Sequence, residues 1–221
     1  MTRPQLRNAS IPAGVAAAAL GGVLILADSA REHDGISAHL DPRIAADVLD
    51  ARAPMLTHAA RLLTLMGSEP VVGALALLLV VLLLERRGPF LAGCAAAAMA
   101  CAATLTVGVK LLVDRARPGP GDRLGPLDSS YSFPSGHTLN SAVLLGLVIL
   151  LAVPLIPGRV HRLGVIAGAV LLAVGIGLSR VYLGYHWASD VFASWLIAIA
   201  LIALVHVVTE AWASAPAAGS G

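Results

Sequence analysis

The sequence predicts an all-α integral membrane protein that folds as a single six-helix bundle. Hydrophobic residues make up 57% of the 221 residues and charged residues only 13%, whereas soluble domains contain about 25% charged residues. Several uncharged apolar stretches approach the roughly 20 residues that a membrane-spanning helix needs. No strand-like alternation and no internal repeat is visible. The length suits one compact membrane domain over residues 1–221.

Six membrane spans follow from these apolar stretches. They cover residues 11–27, 67–84, 90–109, 138–157, 163–179 and 191–209, and a disordered tail is predicted over 213–221. The second stretch is short, so we extend it past Glu69 to residue 67. The first stretch, preceded by Arg3 and Arg7, could instead be a signal peptide, but LADSAR is a poor cleavage site and favours a retained helix.

The arginines predict the orientation of the bundle. The N-terminal segment, the loops 85–89 and 158–162 and the C-terminal tail together carry six arginines and two glutamates, and the opposite side holds nine basic and eleven acidic residues. Because basic loops tend to stay in the cytoplasm, both termini are predicted to be cytoplasmic. The longer loops 28–69, 110–137 and 179–190 then face the extracytoplasmic side, and only they are long enough to hold a site.

The first of these long loops contains a helix-like segment. Asp41 followed by Pro42 is typical of a helix start, and Ile44, Val48 and Leu49 recur at helical spacing. We expect an amphipathic interfacial helix here. It would either cover the bundle or shape an entrance for a lipid.

The first of three charged clusters on this face is KLLVDRARP (110–118), which contains the only lysine of the chain. Lys110 and Arg117 are seven residues apart, which places both on one side of a helix after two turns. Pro118 would end that helix. Taken alone, the pair could be two basic side chains that reach from a helix end to the membrane surface.

The second cluster, PSGH (134–137), precedes a long apolar run. Ser135, Gly136 and His137 would begin a helix, and the first backbone N–H groups of a helix have no intrahelical partner and attract an anion. Gly136 would let the backbone approach that anion closely. The plain alternative is a serine N-cap beside an incidental histidine.

The third cluster, SRVYLGYHWASD (179–190), holds His186 and Asp190 four residues apart, after Arg180. On a helix the carboxylate can reach the imidazole, where it would fix the tautomer and raise the basicity of the other ring nitrogen. An ordinary pair at a helix start is the alternative. Ionisable side chains at membrane depth cost about 2.5–3.5 kcal/mol each, which favours a functional role.

Together the clusters predict a phosphate site. The cations Lys110, Arg117 and Arg180, with backbone N–H donors, suit a multiply charged anion. Of two histidines, one can attack phosphorus while the other donates a proton; the residues alone leave the assignment open, although Asp190 favours His186 as the nucleophile. The cations can neutralise the charge of phosphoryl transfer without a metal, so no cofactor is expected. A net charge of +2 without a basic stripe argues against nucleic acid as a partner.

The three motifs, K-x6-R-P, P-S-G-H and S-R-x5-H-x3-D, strongly resemble those of the type 2 phosphatidic acid phosphatase superfamily. All three are complete and in order, and six spans match the membrane branch of that superfamily. The resemblance implies that His186 is the nucleophile and forms a phosphohistidine, that Asp190 orients it, and that His137 protonates the leaving oxygen. It also implies that the phosphoryl oxygens are held by Lys110, Arg117, Ser135, Gly136 and Arg180.

The resemblance further implies metal-independent hydrolysis of a lipid phosphate or lipid diphosphate within the bilayer. A polyprenyl diphosphate of the undecaprenyl type is the first expectation, with phosphatidylglycerophosphate or phosphatidate close behind. A lipid phosphotransferase that passes the phosphoryl group from the same histidine to an alcohol is an alternative. A non-catalytic anion-binding membrane protein is a weaker alternative, because it gives the pair of His186 and Asp190 no role. The motifs leave the native lipid and the oligomeric state open.

Overall fold

The computed structural model describes residues 3–32 and 35–215, which contain eight α-helices and no strand. The helices are α1 (Arg3–Glu32), α2 (Gly35–Asp50), α3 (Pro54–Met66), α4 (Glu69–Arg87), α5 (Pro89–Val113), α6 (Gly136–Leu147), α7 (Arg159–Tyr182) and α8 (Ala188–Ala213). A π-helical turn at Val148–Ala152 and a 3-10 turn at Val153–Leu155 continue α6. The predicted all-α architecture is confirmed.

Within the described residues, five helices are long and apolar enough to cross a membrane. They are Ser10–Glu32 of α1, then α5, α6 with its continuation to Leu155, α7 and α8. A sixth crossing is present if α3 and α4, which bend by 47° at their junction, form one span. The helix of the second predicted span begins at Glu69 rather than at residue 67, because Gly67 ends α3 and Ser68 separates the two helices.

Several helices extend beyond the apolar stretches that predicted them. Helix α7 starts four residues before the predicted span and α8 ends four residues after its own, at Ala213. Apolar composition identifies only the part of a helix that lies in hydrocarbon, so it does not detect polar first and last turns. Most of the predicted tail, residues 216–221, lies outside the described residues.

The core of the bundle consists of small and branched apolar side chains. Ala95 and Ala102 of α5, Leu139 and Leu147 of α6, and Ile197 of α8 are buried together. Alanine lets helix backbones approach closely, as small residues do at helix interfaces in membranes. Helix α8 contacts α1, α5, α6 and α7, so it is the central helix of the bundle.

The loop between α1 and α4 forms two helices, and the predicted helix start within it is wrong. Helix α2 begins at Gly35, and Pro42 lies inside it rather than at its first turn. Gly35 has a φ of +66°, a left-handed conformation that glycine adopts without strain. Ser37 then donates its backbone N–H to Ser29 Oγ at 3.2 Å. Asp41 does not cap the helix; it is buried against the bundle.

The C-terminal ends of α5 and α7 and the N-terminal ends of α6 and α8 lie at one end of the bundle. Ser132 donates its backbone N–H to the Arg115 carbonyl at 2.8 Å, and Ser135 donates its own to Ser194 Oγ at 2.9 Å. Helix α2 packs against both α7 and α8. The three sequence motifs therefore meet at the same end of the molecule.

Candidate active site

Lys110 and Arg117 converge on one loop, although not along one helix. The predicted continuation of that helix to Pro118 is wrong: α5 ends at Val113, and Asp114 follows with a φ of +53°. The chain then leaves the helix axis. Lys110 Nζ donates to the Tyr131 carbonyl and lies 3.4 Å from Ser130 Oγ.

Arg117 is held by a dense set of acceptors. Its Nε donates to the Ser130 carbonyl at 2.7 Å, and its Nη1 donates to the Tyr185 carbonyl at 2.6 Å. Its Nη2 lies 2.7 Å from Asp128 Oδ2. Burial acts to raise the pKa of Asp128, but hydrogen bonds from Ser130 and the charge of Arg117 hold that pKa below its ordinary value. Asp128 therefore remains an anion that orients Arg117.

His186 lies in the short connection between α7 and α8, and it is only 3% exposed. Its Nε2 is 3.2 Å from Arg117 Nη1. A guanidinium can only donate, so Nε2 must carry the lone pair and the ring proton sits on Nδ1. Burial, the largest influence, lowers the pKa of His186 from 6.5 to about 4, against the opposing effect of Asp190. The imidazole is therefore neutral at neutral pH, with a lone pair on Nε2.

Asp190 lies in the first turn of α8 and is fully buried. It accepts hydrogen bonds from several donors. Its Oδ2 accepts from Ser132 Oγ at 2.5 Å and from the Trp187 backbone N–H at 2.9 Å. His186 Nδ1 lies 3.5 Å from the same oxygen, at the long end of hydrogen-bond range. The Trp187 contact caps α8, so the helix start itself fixes the carboxylate beside the imidazole.

The other oxygen of Asp190 binds Arg115, a residue that sequence reasoning missed. Arg115 Nη1 lies 2.5 Å from Asp190 Oδ1, and Nη2 lies 2.6 Å from Asp41 Oδ2. No regular spacing indicated its role, because residues two apart in an extended segment would point to the same side. In the structure, Arg117 contacts His186, whereas Arg115 contacts the far oxygen of Asp190.

The PSGH motif begins α6, as predicted. Ser135 is fully buried, and its Oγ accepts from the Thr138 backbone N–H at 3.4 Å and from Thr138 Oγ1 at 2.9 Å. Its hydroxyl therefore serves as the helix cap in this structure. A Cβ on Gly136 would come within 3.0 Å of Thr106 Cγ2, so glycine permits close packing of α6 on α5.

His137 and Arg180 complete the site from α6 and α7. His137 is half-buried and within electrostatic reach of His186, Arg180 and Arg117. Arg180 is buried; its Nη1 donates to Thr64 Oγ1 at 2.7 Å, and its guanidinium stacks 4.0 Å from the centre of the Tyr185 ring. Among the described residues, Arg180 Nε is one of the few buried side-chain nitrogens without a hydrogen-bond partner.

The arrangement brings a neutral, oriented imidazole and several cations to one end of the bundle. Such a site can bind a phosphoryl group and form a bond to its phosphorus through a ring nitrogen. Within the described ranges, no group of three or more His, Cys, Asp or Glu side chains is placed as metal ligands would be.

These features define a multi-pass helical membrane protein with a histidine–carboxylate pair among cations. A model of the PAP2 superfamily matches residues 91–213, which is more than half of the chain. The chain belongs to the PAP2 superfamily.

Curated relatives and solved structures agree with this membership. The chain is 36% identical to phosphatidylglycerophosphatase B of Bacillus subtilis (strain 168) over 100 residues, which is 44% of this chain and 47% of that protein. It is 43% identical to undecaprenyl-diphosphatase of Sulfolobus acidocaldarius over 74 residues, 34% of this chain and 32% of that protein. The matched regions thus span less than half of each relative.

The fold is similar over a much longer stretch. The crystal structure of a transmembrane PAP2-type phosphatidylglycerolphosphate phosphatase from Bacillus subtilis superposes with a TM-score of 0.76 and 25% identity, covering 89% of this chain and 96% of that one. The structure of LpxE from Aquifex aeolicus superposes with a TM-score of 0.60 and 25% identity, covering 76% and 94%.

Proposed function

We propose that this protein hydrolyses a lipid phosphate or lipid diphosphate through a phosphohistidine on His186, without a metal ion. His186 Nε2 attacks the terminal phosphorus, and the bond from that phosphorus to the leaving oxygen breaks. The leaving oxygen is the ester oxygen of a lipid phosphate or the bridging oxygen of a lipid diphosphate, and protonated His137 gives it a proton. A water molecule then attacks the phosphohistidine, and His137 accepts its proton. Inorganic phosphate leaves, and both histidines return to their starting states.

The observation that carries this proposal is the arrangement around the His186 ring. Arg117 contacts His186 Nε2, so the imidazole lone pair lies on Nε2, the ring nitrogen that faces this guanidinium. Asp190 lies beside Nδ1 and is anchored by Arg115 and Ser132. An imidazole held in this tautomer is ready to act as a nucleophile without first losing a proton.

The surrounding side chains support the remaining roles. Lys110, Arg117 and Arg180 would bind the phosphoryl oxygens, together with Ser135 and the Gly136 amide at the start of α6. The half-buried His137 at the same helix start would serve as the acid. Arg180 Nε, buried without a partner among the described residues, is a donor that an anion could satisfy.

An apolar groove supports a lipid as the substrate. A cavity of about 690 Å³ runs between α1, α6, α7 and α8, lined by residues such as Ala142, Gly146, Ala173 and Trp195. Ala142 follows His137 by five residues and Trp195 follows Asp190 by five, so the groove starts about 7–8 Å from the site along α6 and along α8. A headgroup at the site could thus extend its hydrocarbon tail into this groove.

Two substrate classes fit the proposal: a polyprenyl diphosphate, and phosphatidylglycerophosphate or phosphatidate. The relatives named undecaprenyl-diphosphatase and phosphatidylglycerophosphatase B represent one each. The site would lie on the extracytoplasmic face with both termini in the cytoplasm, as the arginine distribution favours. A C-terminal fusion to a fluorescent protein that folds only in the cytoplasm should fluoresce; a dark, full-length fusion would reverse this orientation.

The test is phosphate release by the detergent-purified protein with excess chelator present. Farnesyl diphosphate, phosphatidate and phosphatidylglycerophosphate are compared, beside His186→Ala and the control His161→Ala, an exposed histidine of α7. We expect release that survives the chelator, disappears in His186→Ala and persists in His161→Ala. Radiolabelled substrate should leave an acid-labile label on the wild type during turnover.

The outcomes separate the alternatives. Release that depends on added glycerol, with label transferred to it, would identify a phosphotransferase. Binding of phosphate without any release from the three lipids would favour an anion-binding protein. Substantial turnover by His186→Ala would remove His186 as the nucleophile.

A further inference from the structure

Three buried charged side chains from distant segments form one chain of contacts behind the site. Arg115 lies between Asp41 of α2 and Asp190 of α8, at 2.6 and 2.5 Å. Ser189 joins the same cluster: its Oγ accepts from Arg115 at 2.7 Å and donates to Asp41 Oδ2 at 2.5 Å. Its backbone N–H donates to Asp41 Oδ1 at 3.0 Å. Each carboxylate oxygen of Asp41 therefore has a donor.

The charges of this cluster do not cancel. Asp41 is 3% exposed, Arg115 is 7% exposed and Asp190 is fully buried, so water screens them weakly. Two carboxylates surround one guanidinium, which leaves a net charge of −1. Asp190 faces His186 on its other side. Without Asp41, the charge of Arg115 would be matched by Asp190 alone and the cluster would be neutral.

We propose that Asp41 is a positioning residue that acts through Arg115 to keep Asp190 negative toward His186 during phosphoryl transfer. This inference rests on the proposed function. When Nε2 forms its bond to phosphorus, Nδ1 keeps its proton, so the ring becomes cationic as the lipid oxygen takes the bonding electrons. A cluster with net charge −1 stabilises that cation, whereas a neutral cluster stabilises it less.

The other groups around His186 make this charge important. Arg117 touches Nε2, and Arg180 and His137 act on the ring electrostatically. Arg117 and Arg180 are cationic, and His137 becomes cationic when it gains a proton. Asp190 is thus the carboxylate that contacts the imidazole ring. Asp41 supplies a second negative charge, which offsets Arg115 and leaves the charge of Asp190 available to the ring.

The test is the variant Asp41→Asn in the full-length, detergent-purified protein, assayed with phosphatidate and with farnesyl diphosphate. Asparagine keeps the side-chain size while removing the charge. We expect kcat to fall by about 10- to 100-fold, the loss that is typical when an outer group that orients a metal-ligating histidine is changed, with KM nearly unchanged. Removal of a negative charge also lowers the pKa of His186, so the acid limb of the kcat/KM profile should move to lower pH.

Two matched variants separate charge from structure. Ser37→Ala, one turn earlier in α2, removes the buried contact with Ser29 but no charge; it should keep the wild-type turnover and pH profile. Asp41→Glu keeps the charge and should keep the wild-type acid limb. Thermal unfolding of each variant in detergent reports whether the bundle is intact.

The outcomes distinguish this inference from the proposed function. If Asp41→Asn matches the wild type in kcat and pH profile, or if Asp41→Glu shares the shifted acid limb of Asp41→Asn, the role of Asp41 is overturned while the phosphatase proposal stands. Equal losses of kcat in Asp41→Asn and Ser37→Ala, without any shift of the acid limb, would also overturn it, because packing of α2 would explain both. If the wild type releases no phosphate that depends on His186, both proposals fail.

Discussion

The middle of the bundle and its site end are built on different principles. In the middle, apolar packing alone buries Ala95, Ala102, Leu147 and Ile197, and none of these side chains carries a polar group. At the site end, the buried residues include charged side chains, and Arg115 and Asp190 hold each other in an ion pair. Packing in the middle tolerates the exchange of one apolar side chain for another of similar volume, whereas the site end tolerates the loss of a charge poorly.

This difference teaches that stability and turnover depend on separate parts of the molecule. A buried ion pair contributes little net stability compared with apolar packing, but the loss of one partner leaves a buried charge uncompensated. We infer that the charges at the site end serve the proposed reaction rather than stability. Substitutions there should lower turnover more than they lower the unfolding temperature, and substitutions in the middle should do the reverse.

The largest effect should come from Asp190→Asn at the site end. The asparagine amide keeps one acceptor oxygen and replaces the other with a donor. It therefore cannot accept both from Ser132, Trp187 and His186 on one side and from Arg115 on the other. The negative charge beside Nδ1, which would stabilise the imidazolium formed when Nε2 attacks, would also be lost. We expect kcat to fall by about 10³- to 10⁴-fold, comparable to the loss of an orienting aspartate in a triad, as measured by phosphate release.

The matched control for that variant is Asp50→Asn at the exposed end of α2, which should behave as the wild type. The Asp190→Asn protein should still purify as a folded, monodisperse bundle. Wild-type kinetics in Asp190→Asn would contradict the orienting role and erase the contrast between the two regions.

An intermediate effect should come from Arg117→Lys. A lysine keeps the charge but cannot reach Ser130, Asp128 and the Tyr185 carbonyl from one point, and it loses the planar fork that suits phosphate. We expect about a 10²-fold loss of kcat/KM, the magnitude of one transition-state donor. Arg159→Lys, an exposed arginine at the start of α7, is the control; equal kinetics in both variants would mean that Arg117 is peripheral.

The smallest effect on turnover should come from Leu147→Ala in the middle of the bundle. Leu147 is fully buried, so its truncation should lower the free energy of unfolding by about 2–5 kcal/mol and leave kcat within a factor of two of the wild type. Thermal unfolding in detergent measures the loss of stability, and phosphate release measures kcat. Leu171→Ala, 72% exposed on α7, should change neither. A large loss of kcat in Leu147→Ala would show that the two regions are coupled.

The sequence predicted the architecture and the motif residues because both depend on local patterns. Apolar length predicts a membrane helix. The helical argument for the contact of Asp190 with His186 was wrong in its geometry, because His186 precedes α8 and the two meet at the capped start of that helix. The helical argument for Lys110 and Arg117 was wrong in its geometry, since α5 ends at Val113. The two side chains nevertheless meet, because the loop around Ser130 folds back between them.

The contacts behind Asp190 could not be predicted, because they join segments with no regular spacing. Asp41 and Ser189 are 148 residues apart, and no local pattern relates them. Asp41 beside Pro42 was interpreted as a helix start, whereas its carboxylate is used in a tertiary contact. Only the packing of α2 against α8 brings it to Arg115, and that packing depends on side-chain shapes across the whole bundle.

The bridging position of Arg115 also has a consequence for biosynthesis. Asp41 leaves the ribosome 74 residues before Arg115, and Asp190 leaves it 75 residues after. At 5–20 residues per second, Asp190 emerges about 4–15 s later than Arg115. Of the two carboxylates that bind Arg115 in the fold, Asp41 is thus the one already present while α8 is still being made. We expect this early pair to spare the growing chain an unpaired cation at the membrane surface until the last helix arrives and places Asp190 beside His186.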